Sequence, residues 1–180
     1  MIRPNHRMPR QRVAILLVAL GLIGCEAAVS DWVPLNPRVP APAFTAQQID
    51  GALVHLSDYQ GRVVILEFWA TWCGPCRSTL PSLEDIFKHY RDRGVTVLLV
   101  NQGEPEGTIR AWTQRRFTAP ILLDADQQIG RRYEAYSLPH LVVVDQAGQV
   151  TYVHNGYRGG LEHNLKLILD GMLATNRQGA

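Results

Sequence analysis

The strongest constraint on this chain lies where the apolar run Val63-Val64-Ile65-Leu66 continues through Glu67-Phe68-Trp69-Ala70-Thr71-Trp72 into Cys73-Gly74-Pro75-Cys76-Arg77. A continuous apolar run of this kind is the pattern of a strand buried on both faces. The stretch after it reads as a helix, with Leu80, Leu83, Ile86, Phe87 and Tyr90 at helical spacing and Gly94 at its end. Pro81 inside that run predicts a bend. Two cysteines with two residues between them, at a strand-to-helix junction, form a thiol–disulfide redox pattern. The first turn of a helix leaves backbone N–H groups unpaired and carries a partial positive charge. Cys73 in that position has a stabilised thiolate, which is the attacking species. Cys76, one turn further in, is placed to resolve a mixed disulfide. Pro75 fits the helix start, where its missing N–H costs nothing.

The chain has three cysteines, Cys25, Cys73 and Cys76, so it is not a disulfide-stapled scaffold. Zinc needs four ligands, and no second cysteine pair exists; the histidines His6, His55, His89, His140, His154 and His163 are scattered. No metal or separate cofactor is therefore expected, and the redox-active Cys73–Cys76 pair serves instead. The net charge is +2, with Arg3, Arg7, Arg10 and Arg12 near the start. That distribution lacks the basic face of a nucleic-acid binder, and no nucleic-acid partner is expected.

The arginine segment precedes the apolar run Val13 to Gly24, the arrangement of a secretory signal over residues 1–24. The run is shorter than the ~20 apolar residues that span a bilayer. It closes on Leu22-Ile23-Gly24-Cys25, which resembles the bacterial lipoprotein box. By that resemblance the chain is cut before Cys25, which carries a lipid; the alternatives are a plain signal peptide or an uncleaved anchor reaching Val29, against which Glu26 argues. Residues 25–42 then read as a tether, since Pro34, Pro37, Pro40 and Pro42 favour extended polyproline conformations at about 3 Å per residue.

Residues 43–175 read as one folded domain, followed by a polar tail at 176–180. Phe44-Thr45-Ala46 and Leu53 to His55 flank Asp50-Gly51, a hairpin signal. Ser57 to Gly61 reads as a short helical turn. Val95 to Val100 is a second buried strand, Glu104 to Phe117 a helix, Ile121 to Asp124 a short strand and Gln127 to Tyr133 a further helical turn. Leu141 to Val144 and Val150 to His154 are strands joined by the turn Asp145 to Gly148, and Leu161 to Leu173 closes the chain as an amphipathic helix. Strands alternating with helices, then a terminal hairpin, give an α/β fold with a central mixed sheet and helices on both faces.

Taken together, Pro42-Ala43-Phe44, Leu56-Ser57-Asp58-Tyr59 with Gly61, the stretch Phe68 to Arg77, Val100-Asn101, Ala119 to Asp124 and Leu138-Pro139-His140 resemble the thioredoxin superfamily. The closer resemblance is to its membrane-tethered TlpA/ResA/CcmG branch, over about Pro40 to Leu173. It implies a thioredoxin-like fold with an added N-terminal β-hairpin. It also implies that Pro139 is a cis-proline facing the cysteines, leaving the backbone of Leu138 free for a substrate strand. Trp72, Gly74, Pro75, Leu138 and Pro139 are thus the expected substrate-binding residues; His140 is a further candidate for tuning the thiolate or binding substrate, against the alternative of a surface or strand-packing histidine. Glu67 matches the buried acid of thioredoxins, where many members of this branch have Asn. Its expected role is general base for Cys76, with a pKa raised by burial. The position of the lysine that often accompanies the acid falls on Leu99. The branch carries a glutamate three residues after the second cysteine, and this chain has Thr79 there, a departure that weakens any link to cytochrome maturation.

The leading expectation is an extracytoplasmic, lipid-anchored thiol–disulfide oxidoreductase that reduces protein disulfides through Cys73 and Cys76. The resemblance implies re-reduction by a CcdA/DsbD-like membrane electron donor. The alternative is a copper-binding chaperone in which His140 joins the two cysteines, since thiolates with imidazole suit Cu(I).

Overall fold

The structure is a computed structural model, and it describes residues 32–114 and 116–177. In chain order its elements are β1 (Val33–Pro40), β2 (Thr45–Gln48), β3 (Leu53–His55), β4 (Val63–Trp69), α1 (Cys76–Tyr90), β5 (Val95–Gln102), α2 (Glu106–Thr113), β6 (Ile121–Asp124), α3 (Gln128–Arg132), β7 (His140–Val144), β8 (Gln149–Asn155) and α4 (Leu161–Arg177). One mixed sheet orders the strands β1-β8-β7-β4-β5-β6-β2-β3. β4, β5 and β6 are parallel, β7 runs antiparallel beside β4, and the β2–β3 hairpin extends the β6 edge. The most apolar strands, β4 and β5, are interior and buried along their whole length.

Strand alternation sorts the side chains into two cores. Ile65, Trp69, Val97, Leu99, Leu141 and Val143 face one core with Leu80, Leu83 and Ile86 of α1, Ile109 of α2, and Leu165 and Leu169 of α4. Val64, Leu66, Phe68, Val100, Val142 and Val144 face the other, with Ile129 and Tyr133 at α3 and Phe44, Ala46 and Val54 of the hairpin. Both cysteines belong to the first core. By the same parity Glu67, between Leu66 and Phe68, points to the cysteine side.

The expectation of a polyproline tether over 25–42 needs correction at its C-terminal half. Val33–Pro40 is β1, paired antiparallel with β8. The prolines are tolerated because β1 is an edge strand, where a missing N–H breaks no interior ladder. The register breaks between Pro34 and Val39, and the cis Asn36–Pro37 bond lies in that break. Trp32, just before β1, is buried and stacks on His154 with ring centroids 4.8 Å apart. Arg38 pairs with Asp145 at 3.1 Å. The signal at 1–24, Cys25 and the first residues of the tether lie outside the described residues. Among the described residues no helix is long and apolar enough to cross a membrane.

Three helix boundaries differ from the sequence expectation. α1 begins at Cys76 with Pro75 as its N-cap, so Cys73 precedes the first turn in which the sequence reading places it. α2 starts at Glu106 and stops at Gln114, which adopts a left-handed conformation at φ 38°. α4 continues to Arg177, into the stretch expected as a polar tail. The loop feeding β6 is tied to α1 by Glu84, whose carboxylate accepts hydrogen bonds from the N–H and hydroxyl of Thr118 and from the N–H of Ala119. Burial raises the pKa of Glu84, but these bonds outweigh it and hold the carboxyl below its ordinary value.

Candidate active site

β4 ends at Trp69, and the chain turns back on itself: the N–H of Cys73 donates to the Ala70 carbonyl at 3.1 Å. Cys73 and Cys76 form a disulfide, S–S 1.98 Å with Cα atoms 5.3 Å apart. Cys73 therefore sits three residues before the helix rather than in its first turn. Its sulfur still takes a helix-start donor, because the N–H of Cys76 points at Sγ of Cys73 at 3.2 Å. An unpaired first-turn N–H is what stabilises sulfur charge at this end of α1. Cys76 is fully buried, whereas Cys73 keeps 3% of its surface, so an incoming sulfur meets Cys73. Gly74 and Pro75 are exposed around it, and Trp72 is 68% exposed.

The loop carrying Trp72 and Cys73 is held by Glu104, a residue that the sequence pattern assigns to a helix. Glu104 lies outside α2 and accepts from the Thr71 N–H at 2.7 Å, the Thr71 hydroxyl at 2.5 Å and Asn101 Nδ2 at 2.8 Å. Three hydrogen bonds thus converge on one carboxyl group and tie the loop to the end of β5. Arg77 is exposed and donates to the Thr71 carbonyl at 3.3 Å.

β7 opens with His140 opposite Phe68, which brings Leu138 and Pro139 level with the end of β4. The Leu138–Pro139 bond is cis. Pro139 is buried, and its carbonyl accepts from the Gly156 N–H at 2.8 Å. Leu138 is half-buried; among the described residues it enters no such backbone pairing.

His140 does not join the site as a substrate-binding residue and is instead the strand-packing histidine of the alternative reading. It is buried, its Nδ1 lies 2.6 Å from Asn155 Oδ1, and its ring packs at 5.7 Å from Phe68. Phe68 faces the second core, so the imidazole lies on the opposite side of the sheet from the cysteines. Burial lowers its pKa and keeps it neutral, against smaller opposing effects of Asn155, the Tyr133 backbone and Glu134. A cysteine pair joined by His140, as a copper carrier would need, is not assembled here.

Glu67 is on the cysteine side and fully buried. Its strand neighbours are Leu99 on β5 and Leu141 on β7, both apolar. Oε1 is hydrogen-bonded to the Thr79 hydroxyl at 2.6 Å, and Oε2 has no partner. Desolvation pushes its pKa from 4.5 up to about 8, with the Thr79 bond pulling the other way. At neutral pH the carboxyl is mostly protonated behind the closed disulfide. The inward place of Thr79 has a sequence signal: Cys76, Thr79, Leu80 and Leu83 are buried on one face of α1. Their helical spacing marks Thr79 as inward, where the family resemblance marks only a missing acid.

The AhpC/TSA family profile matches residues 37–153. A thiol-disulfide oxidoreductase ResA from Geobacillus kaustophilus is 34% identical over 149 residues, covering 81% of this chain and 86% of its own. A crystal structure assigned as a thiol:disulfide interchange protein DsbE, from Chlorobium tepidum, superposes with TM-score 0.71 at 30% identity, over 76% of this chain and 96% of that one. The exposed lipoprotein thioredoxin of Streptococcus pneumoniae superposes with TM-score 0.64 at 27% identity, over 72% and 99%.

The raised pKa has a stability consequence. Because the folded carboxyl titrates higher than the unfolded one, the stabilisation from burying it neutral is fully present below pH 4.5 and is lost as pH rises through about 8. Within that window the slope approaches about 1.4 kcal/mol per pH unit. Denaturant unfolding of the oxidised protein at several pH values should show Glu67→Gln gaining on the wild type as pH rises. Parallel curves would mean that the carboxyl is not held protonated.

Proposed function

The chain belongs to the AhpC/TSA family and, within the thioredoxin superfamily, to the ResA-like thiol–disulfide oxidoreductases, and we propose that it reduces protein disulfides outside the cytoplasm while held to a membrane through Cys25. The observation that carries this reading is the Cys73–Cys76 disulfide at the start of α1, with only Cys73 open to solvent. In the reduced enzyme the Cys73 thiolate attacks one sulfur of a substrate disulfide. The Cys73–substrate bond forms, the substrate S–S bond breaks, and one substrate thiolate leaves. Cys76 gives its proton to Glu67 and attacks Cys73 Sγ. The Cys73–Cys76 bond forms, the second substrate thiolate leaves and takes a proton from solvent, and two electrons have passed to the substrate. Trp72, Gly74, Pro75, Leu138 and Pro139 form the contact surface, with the Leu138 backbone receiving an extended substrate segment.

An oxidised pair must be re-reduced, and an extracytoplasmic compartment holds no reducing pool comparable to the cytosol. The reading therefore includes a dithiol donor in the membrane, of the CcdA/DsbD-like kind. On that return path one donor thiolate attacks Cys73 and Cys76 leaves, neutralised by the proton stored on Glu67; the donor's second thiol, giving its proton to solvent, then attacks the mixed disulfide, which closes the donor's own disulfide and releases the Cys73 thiolate. The Gly74-Pro75 spacer, like that of reducing thioredoxins, favours the reductive direction. Support for the anchor is the Leu22-Ile23-Gly24-Cys25 pattern, together with the lipoprotein among the similar structures.

Insulin reduction with dithiothreitol tests the activity. Wild-type protein should turn over, Cys73→Ser should fall to background, and Cys76→Ser should accumulate a covalent mixed disulfide on Cys73. Absence of turnover together with tight copper binding would reverse the assignment. In cells, Cys25→Ser should move the protein from the membrane fraction to the soluble one; unchanged membrane association would remove the lipid anchor.

A further inference from the structure

Thr79 touches two acceptors at once. Its Oγ1 lies 2.6 Å from Oε1 of Glu67 and 3.0 Å from the carbonyl oxygen of Cys76. A threonine hydroxyl carries one hydrogen, so it donates to one of them at a time. The protonation of Glu67 decides which. A protonated carboxyl donates its own O–H to Thr79 Oγ1, and the hydroxyl hydrogen then goes to the Cys76 carbonyl. An ionised carboxylate is an acceptor only, so the hydroxyl hydrogen turns towards Glu67, where a charged acceptor makes the stronger bond. The Cys76 carbonyl loses that donor in the exchange.

No other group competes for this role. Glu67 Oε2 is unpartnered, and Leu99 and Leu141 flank Glu67 on the neighbouring strands. α1 presents Cys76, Thr79, Leu80 and Leu83, while α2 and α4 bring apolar side chains such as Ile109, Leu165 and Leu169 into the same core. Burial and the Thr79 bond alone set the Glu67 pKa, with no charged side chain among the described residues contributing; the other buried titratable groups of α1, Glu84 and Tyr90, are bonded to Thr118 and Asp170, and Cys73 and Cys76 lie in the core on the same side of the sheet.

We propose that Thr79 is a positioning residue for the redox reaction, a single-hydrogen switch that couples the charge on Glu67 to the first turn of α1 that carries Cys76. The proposal rests on Glu67 acting as proton carrier for Cys76. In the resolving step, arrival of the cysteine proton on Glu67 releases the Thr79 hydrogen to the Cys76 carbonyl as the disulfide closes. In the reverse step, loss of that proton turns the hydrogen back towards Glu67. Thr79 forms no bond to substrate and transfers no electrons.

The test is a carbon-13 NMR titration of the Glu67 carboxyl in the oxidised full chain, assigned by its disappearance in Glu67→Gln. Oxidised cysteines do not titrate, so the midpoint belongs to Glu67 alone. Thr79→Val keeps the shape and removes the hydroxyl; it should raise the midpoint by about one pH unit, the worth of one hydrogen bond to the charged form. Thr79→Ser should stay near wild type. If Thr79→Val does not fold, Thr79→Ala should give the same upward move. The pH profile of mixed-disulfide resolution should shift with the carboxyl midpoint. An unmoved midpoint in Thr79→Val, or an equal move in Thr79→Ser, overturns the switch. A midpoint that moves while the resolution profile stays overturns its coupling to Cys76. Failure of the underlying role of Glu67 reads differently: Glu67→Gln would then reduce insulin as the wild type does.

Discussion

A carboxyl group sealed in apolar core behind a disulfide is the constraint on which the rest of this structure turns. Glu67 keeps its place because β4 is central, flanked by Leu99 and Leu141 and covered by α1. The same burial makes ionisation costly, so the group holds a proton where an exposed glutamate would have lost it. A core that excludes charge thus becomes a place to keep one proton on the side of the sheet that carries the cysteines. The exposed side of the pair is shaped differently. Glu104 fixes Thr71, the N–H of Cys76 meets Cys73 Sγ, and Cys73 alone reaches solvent. One sulfur at the surface and a buried acid on the cysteine side of the sheet thus belong to the same core.

Strand parity decides membership of the site more strictly than sequence proximity. Glu67 and Phe68 are consecutive, yet one faces the cysteines and the other faces α3 and the hairpin. His140 follows Pro139 directly and still belongs to the far side, packed against Phe68 and bonded to Asn155. A period of two residues settles both cases. It separates a redox site with a buried acid from a metal site built with histidine.

The central strand, the cysteine pair at its end, the hairpin and the mixed sheet are all legible in the sequence, because continuous apolar runs, a turn dipeptide and a fixed Cys spacing are local signals. The cis bond before Pro139 is legible only through family resemblance. What escapes reading is set by distant partners. β1 looks like polyproline because its pairing comes from β8, far along the chain, and an edge position forgives proline. Glu104 looks like the start of a helix because its partners, Thr71 and Asn101, are fixed only by the packed loop. Thr79 looks like a lost acid when set against the family pattern, whereas helical spacing turns it inward, where it meets Glu67. In each case composition is compatible with two states, and tertiary contact chooses between them.

The proposed mechanism stands on transfer of the Cys76 proton to Glu67. It is tested most directly by loading Cys73 with a coloured aromatic thiol as a mixed disulfide and timing its release in a single turnover across pH. Release from the wild type should be faster than from Glu67→Gln below the ordinary thiol range and should fall with the titration of the Glu67 carboxyl, at about pH 8, whereas release from Glu67→Gln should follow the thiolate fraction of Cys76 alone. Superimposable profiles for the two proteins would contradict it.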